Sequence, residues 1–259
     1  MSRFPRTRTR RYIKGFTMVE LLVVVAIIGT LASLVISSYG GVMRKAKETK
    51  CVSNLRQVAS GLMLYVGENN GRLPSATIDK DDPDAPINPV TGLKITADYM
   101  WSKQLGPYLP QKSDSLTSAQ NKVFVCPAAS YQGYANSAIS TTYNSSSTLF
   151  YFSNSSTLGT ASALEGRRMS TVQYPAKTIL VAEGKLAVGA TSPACSSSVR
   201  WDQAAADLGQ AAPADTIYLD YRHGNKMNVV YGDGHVGSLF FKDRADITRS
   251  MWEGRNYTN

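Results

Sequence analysis

Apolar positions fall into two regimes in the first quarter of this chain. From Leu21 to Ile36 they are nearly continuous, broken only by Gly29, Thr30 and Ser33, and Glu20 stands just before them. After the polar segment Arg44-Lys45-Ala46-Lys47-Glu48 they thin to Val52, Leu55, Ala59, Leu62 and Val66, the three-to-four spacing that gives a helix one buried face. No proline occurs between Phe16 and Pro74, so both regimes fit one helix. At 1.5 Å per residue a helix from Phe16 to about Glu68 would run about 80 Å, far more than the ~30 Å of a bilayer's hydrocarbon core. The pattern therefore predicts a membrane-spanning stretch over 16–43 and an amphipathic continuation outside the membrane over 44–71. The stop is predicted at Asn69-Asn70-Gly71, where Asn or Gly adopts the left-handed cap conformation, with Pro74 close behind.

Residues 72–259 are predicted as one α+β globular domain. Residues 75–98 are rich in Pro, Asp and Thr and read as a loop, and Trp101 to Leu109 as a short helix or turn ending at Pro110. Strands are expected at Val123-Phe124-Val125-Cys126, Thr178 to Ala182 and Thr216 to Leu219. Ser, Thr and Asn interspersed with Tyr and Phe dominate Asn136 to Ser162, the composition of a long surface loop or β-rich insertion, which we place at about 128–170. The clearest local unit is Asn225 to Tyr231, then Gly232-Asp233-Gly234, then His235 to Phe241: Asp-Gly between two β-rich runs predicts a hairpin.

The net charge of +9 changes this picture less than its size suggests. Arg3, Arg6, Arg8, Arg10, Arg11 and Lys14 all precede residue 16 with no acidic residue among them. Removing those six from the 28 basic residues leaves 22 against 19 acidic ones. The basic character belongs mostly to the leader, residues 1–15, and a nucleic-acid partner is not expected: Lys242, Arg244, Arg249 and Arg255 are interleaved with Asp243, Asp246 and Glu253. Three cysteines, Cys51, Cys126 and Cys195, are too few for a disulfide framework, lack the spacing of a zinc site, and leave at least one thiol free or paired between chains.

An ordinary secretory signal is cleaved after its apolar stretch, here near Ala32-Ser33, and gives Glu20 no role. A carboxylate at the head of a membrane helix costs on the order of 2.5 kcal/mol or more, so it calls for a partner. Cleavage between Gly15 and Phe16 would create one, an α-amino cation four residues before Glu20. The run Lys14-Gly15-Phe16-Thr17-Met18-Val19-Glu20-Leu21-Leu22 resembles, position by position, the class III prepilin signal of type IV pilins and type II secretion pseudopilins. That resemblance implies cleavage after Gly15 by a prepilin peptidase, which also methylates the Phe16 amine. It further implies assembly on an inner-membrane platform and packing of the apolar helices in a filament core, with Glu20 facing a neighbour's amine. The implied fold is pilin-like α+β: a long N-terminal helix, membrane-spanning in its first half, on a C-terminal antiparallel sheet.

A second match lies at the other end of the chain. His223, nine residues, then Asp233-Gly234 reproduce the H-x9-DG pattern of a large branch of prepilin-type proteins. Asn54-Leu55-Arg56-Gln57 on the helix and Cys126-Pro127 after the expected strand resemble its middle features. Cys51 and Cys126 form a candidate disulfide in an oxidising periplasm. His223 and Asp233 would stand at opposite ends of a strand, about 30 Å apart if fully extended, too far to share one ion. Asp220 with His223, and Asp233 with His235, remain as two weaker metal or hydrogen-bonding pairs, beside the plainer reading of turn chemistry and hydrogen-bonded histidines. Some major pseudopilins bind calcium, which directs attention to Asp215, Asp220, Asp233 and Asp243, although no contiguous run supplies six to eight oxygens.

No nucleophile with a partnered base, phosphate-binding glycine loop or metal-ligand pair at helical spacing occurs, so an enzyme is not expected and no catalytic residue is assigned. The expected function is a structural subunit, pseudopilin or minor pilin, of a type II secretion or type IV pilus-like filament. The alternative is an anchored periplasmic or surface protein that uses the signal for export and binds glycan or protein through its Tyr- and Asn-rich insertion.

Overall fold

The computed structural model describes residues 16–75, 77–78, 99–109, 122–129, 141–146, 149–150, 152–153, 167–184, 198–199 and 219–254. The leader with Gly15, the Thr216 to Tyr218 part of an expected strand, Cys195 and Asp215 lie outside them. The chain divides into two compact units, residues 1–43 and 44–259.

Helix α1 runs Met18–Glu68. Its side chains in the first unit stand open: Leu21, Leu22, Val25, Ile28 and Leu31 are all exposed among the described residues. Among the described residues no single helix is long and apolar enough to cross a membrane. The helix itself is continuous from Met18 to Glu68, as the missing prolines allow.

In the second unit α1 buries Cys51, Asn54, Leu55, Val58, Ala59 and Leu62. The stripe is the predicted one with Cys51, Asn54 and Val58 added, while Val52 and Val66 lie half-buried at its margins. The helix ends where expected. Asn70 (φ 54°) and Gly71 (φ 76°) turn left-handed, and Gly71 N–H donates to Val66 O at 2.9 Å, satisfying one of the last-turn carbonyls.

Among the described residues eight strands follow. β1 (Thr77–Ile78) lies between β2 (Tyr99–Met100), antiparallel, and β4 (Phe152–Ser153), parallel. The main sheet has the order β6-β3-β5-β7-β8, from β3 (Tyr143–Ser146), β5 (Ile179–Glu183), β6 (Ser198–Val199), β7 (Lys226–Tyr231) and β8 (Val236–Phe240). Neighbours from β3 to β8 are antiparallel, as the α+β reading expected; edge strand β6 joins β3 in parallel.

Two apolar clusters flank this sheet. One joins the buried stripe of α1 to Leu180, Val181 and Val230, together with Trp101, Phe124, Tyr143 and Phe150. Trp101 meets Phe124 and Phe150 edge-on at centroid distances of 5.5 and 5.8 Å. The other gathers Ile179, Ala182, Met227, Val229, Ile247 and Trp252, the last from the short helix α3 (Arg249–Glu253). The pairing of β5 with β7 shifts register between Ile179 and Val181, which breaks strict alternation and lets consecutive Leu180 and Val181 serve one cluster while Ile179 and Ala182 serve the other.

Trp101 to Leu109 form helix α2 (Trp101–Gln104) and a 3-10 turn over Gly106–Tyr108. The expected strand at Val123 to Cys126 is instead a 3-10 turn over Lys122–Phe124. Side-chain anchoring overrides its β-prone composition: Asn54 Nδ2 donates to both Lys122 O and Val125 O, each at 3.2 Å. Within the Ser/Asn/Tyr-rich region, β3 is wholly buried between β5 and β6, so Tyr143 to Ser146 follow the β-rich of the two alternatives and not the surface loop.

Candidate functional site

At the N-terminus, Thr17 and Glu20 cap α1 reciprocally. Thr17 N–H and Oγ1 each donate to Glu20 Oε2 at 2.8 Å, while Glu20 N–H donates to Thr17 Oγ1 at 3.3 Å. This is a capping box, which satisfies first-turn donors and places a negative charge at the positive end of the helix. The Thr-x-x-Glu spacing was readable in the sequence and was overlooked beside the prepilin reading. Phe16 and Glu20 are both exposed.

A second constellation lies inside the globular unit. Cys51 and Cys126 are joined by a disulfide with a Cα separation of 5.0 Å. Cys51 sits one turn before Asn54 on α1, and the two hydrogen bonds from Asn54 hold the turn that delivers Cys126. Thr142 Oγ1 accepts from Cys126 N–H at 2.8 Å and fixes the other side of that loop.

His223 enters from the loop before β7. That loop reverses through Gly224 (φ 65°) and Asn225 (φ 62°), and His223 N–H donates to Lys226 O at 3.2 Å. The ring Nε2 lies 3.4 Å from Cys126 Sγ and 2.8 Å from Glu183 Oε1. Glu183, at the end of β5, is fully buried, and its Oε2 accepts the backbone N–H of Asn228 at 2.9 Å. Asn228 Nδ2 reaches Glu183 Oε1 at 3.3 Å, and Asn228 Oδ1 accepts from Ser238 Oγ at 2.7 Å. The network therefore runs from β8 through Asn228 and Glu183 to His223 and the disulfide.

The other motif residues lie at the hairpin tip. Gly234 N–H donates to Tyr231 O at 2.9 Å and Gly234 has φ 86°, a turn closed by a left-handed glycine. Asp233 Oδ1 contacts His235 Nδ1 at 2.5 Å and accepts His235 N–H at 3.1 Å. Partial burial raises the Asp233 pKa, but the hydrogen bonds and charge of His235 outweigh it and hold the carboxyl below its usual range. The His235 ring also stacks on Tyr231 at 4.3 Å. This pair is thus a local turn contact.

Of the two weaker pairs, Asp220 with His223 does not form: Asp220 takes Arg222 at 3.0 Å, and His223 turns inward to Glu183, as a hydrogen-bonded histidine. The reason is burial, since an imidazole withdrawn from water needs a polar partner at the same depth. Among the described residues, Cys51, Cys126, Glu183 and His223 are the group with metal-donor atoms converging, all within 4.8 Å of one another and all buried. Asp220, Asp233 and Asp243 do not converge and do not fit calcium. Glu183 escaped the sequence reading because nothing marks it except a carboxylate closing an apolar strand, Ile179-Leu180-Val181-Ala182-Glu183, a feature that itself predicts a buried polar partner.

A model of the prokaryotic N-terminal methylation motif matches residues 10–36. Over 62 residues, 24% of this chain and 39% of the relative, the sequence is 44% identical to the type II secretion system core protein G of Pectobacterium carotovorum subsp. carotovorum. Over 102 residues, 39% of this chain and 59% of the relative, it is 34% identical to the type IV major fimbrial protein FimA of Dichelobacter nodosus. Core protein G of Escherichia coli (strain K12) is 40% identical over 57 residues, 22% of this chain and 39% of the relative. The chain thus spans about four to six tenths of the length of these curated relatives. No solved structure matches it significantly. A methylation motif, partial similarity to both secretion and fimbrial subunits, and a long N-terminal helix beside a largely antiparallel sheet make this chain similar, over part of its length, to type IV pilin-like proteins and type II secretion pseudopilins.

Proposed function

We propose that this chain is a structural, non-catalytic subunit of a type II secretion or type IV pilus-like filament. The observation that carries the reading is the pairing of the prepilin signal with an apolar helix segment whose described side chains stand exposed. Such a surface is stable only in lipid or against other apolar helices. Residues 16–43 are anchored in the bacterial inner membrane as a single pass before assembly, with the globular domain in the periplasm; the assembled filament lies in the periplasm or at the cell surface. Gly15–Phe16 is the bond cut by the prepilin peptidase, and the new Phe16 amine is methylated. Other pilin-like subunits and the inner-membrane assembly platform are its partners.

Glu20 then has two duties, capping its own helix through Thr17 and meeting the Phe16 amine of a neighbour. The variants Glu20→Gln and Glu20→Val separate them. Gln supports a capping box without charge, whereas Val removes both cap and charge and eases insertion. Both variants are expected to be processed to a mature N-terminus at Phe16 and to accumulate in the membrane, with sheared filament yield reduced about tenfold or more, as expected for about 1.4 kcal/mol or more lost per contact. Mature protein beginning at Met1 or near Ala32 would overturn the processing assignment, and wild-type filament yield from Glu20→Gln would remove the charge pairing.

A further inference from the structure

The buried cluster of Cys51, Cys126, Glu183 and His223 is an unusual thing to find in a domain core. A disulfide alone asks for apolar surroundings. Here a carboxylate and an imidazole, both fully or almost fully withdrawn from solvent, stand beside it, with His223 Nε2 3.4 Å from Cys126 Sγ and 2.8 Å from Glu183 Oε1. Burying two such groups is expensive unless each is matched by strong partners. The four donor atoms come from four separate elements, α1, the turn after Lys122–Phe124, the end of β5 and the loop before β7.

We propose that the dithiol form of this site binds one zinc ion through Cys51 Sγ, Cys126 Sγ, His223 Nε2 and Glu183 Oε1, so that disulfide and metal are alternative closures of the same core.

Geometry supports the assignment. Zinc holds sulfur at about 2.3 Å and nitrogen or oxygen at about 2.0 to 2.2 Å in a tetrahedron, which separates the donors by about 3.3 to 3.8 Å. The four atoms already lie within 4.8 Å of one another. Opening the S–S bond lets the sulfurs part, and the Nε2 to Oε1 contact has only to widen by a few tenths of an ångström. Two thiolates with an imidazole and one carboxylate are a borderline-soft set that selects zinc over calcium or magnesium. All four donors are buried, so no position is left open for water or substrate, and the site is structural. An outer shell is already in place: Asn228 N–H holds the second oxygen of Glu183 and Ser238 holds Asn228, the type of support that fixes a ligand's orientation.

The interconversion balances with a phosphine as reductant. The phosphine gives two electrons to the S–S bond and takes the oxygen of one water, becoming the phosphine oxide, and the two protons of that water complete the Cys51 and Cys126 thiols. Zinc then displaces both thiol protons to solvent and takes the Nε2 lone pair of His223, which leaves the ring hydrogen on Nδ1.

The test uses the full chain in detergent, in a Cys195→Ser background so that only the two site cysteines remain. Wild-type protein is compared as the oxidised form and after phosphine reduction, each dialysed against zinc and against cobalt. Reduced protein should retain about one zinc per chain, and its cobalt form should show thiolate-to-metal charge transfer and the intense ligand-field bands of a tetrahedral site; oxidised protein should retain neither. Cys51→Ser should abolish the signal, and His223→Gln and Glu183→Gln should weaken zinc by about tenfold or more. Circular dichroism of the oxidised Gln variants reports whether they fold, and the comparison of reduced with oxidised wild type stands even if they do not. Absence of stoichiometric zinc from reduced wild type would overturn the proposal, as would equal zinc in the oxidised form or equal retention of calcium.

Discussion

Glu48 lies near the start of the amphipathic half of α1 and pairs with Lys226 at the head of β7, with a further contact to Lys45 at 3.2 Å. The hydrogen bond from Lys226 holds its carboxyl below the ordinary value of 4.5, against the opposing effect of partial burial. A carboxyl depressed in the folded state contributes stability that is complete above its unfolded pKa and is lost as pH falls through the folded one. Glu48→Gln should therefore cost about 1 kcal/mol or less at neutral pH and leave stability unchanged at the acid end, where wild type has already lost the same contribution. Urea melts at pH 7 and pH 3 check this; an equal difference between the two proteins at both pH values would remove the pairing. Gly234 offers a second test at this scale. Its φ of 86° belongs to glycine, and an added Cβ would stand 3.2 Å from Met63 Cγ. Gly234→Ala should destabilise by about 1 to 2 kcal/mol, read as a fall in melting temperature. The Asp-Gly of the C-terminal motif is accounted for by turn geometry, as its sequence suggested, whereas the motif's histidine owes its place to Glu183, forty positions away.

At the scale of elements, an apolar cluster holds helix to sheet, and a disulfide ties the helix to the turn after Lys122–Phe124. The Cys51–Cys126 bridge closes a loop with a sequence separation of 75. Chain-entropy reasoning gives a bridge over such a loop up to about 4 kcal/mol through restriction of the unfolded state. Replacing both cysteines with Ser should lower the unfolding free energy, read from chemical denaturation, by an amount approaching that figure, with reduction of wild type in the absence of metal giving a similar loss. Leu62→Ala, emptying the centre of the buried stripe of α1, should cost about 2 to 5 kcal/mol with no change in the disulfide. Elements with a strong local pattern were legible: α1 and its Asn-Gly stop, β5, and the β7–β8 hairpin all follow from spacing and turn chemistry. Elements set by distant partners were not. Lys122–Phe124 has the composition of a strand, but Asn54 ties its carbonyls into a turn. The composition around Tyr143 to Ser146 left loop and β-rich insertion open, and their place inside the sheet is decided by β5 and β6, which supply the ladder hydrogen bonds on either side.

For the whole molecule, the division at residues 43 and 44 separates a part without a core of its own from a part with two apolar clusters, a disulfide and a mixed sheet. A fragment comprising residues 44–259 is accordingly expected to be soluble without detergent and to unfold cooperatively, while the full chain requires detergent. Glu20→Val in the full chain should leave the unfolding transition of the globular part unmoved, because residue 20 belongs to the other unit. A shift of that transition by more than about 0.5 kcal/mol, beyond what a distant site contributes, would contradict the independence of the two units.

The sequence by itself determined what depends on neighbours along the chain: the apolar stretch, the methylation-type motif over residues 10–36, the amphipathic continuation, its stop, and the final hairpin. Each is written in a spacing of two, three or four residues, the range over which a helix or strand brings side chains together. Only the tertiary structure decided which distant groups share the interior. Cys51, Cys126, Glu183 and His223 span 172 positions and carry no common spacing; they meet because α1, an Asn54-anchored turn, β5 and the loop before β7 converge on one point. Convergence of that kind follows from how the apolar faces pack, and a buried carboxylate at the end of an apolar strand is the one local trace it leaves.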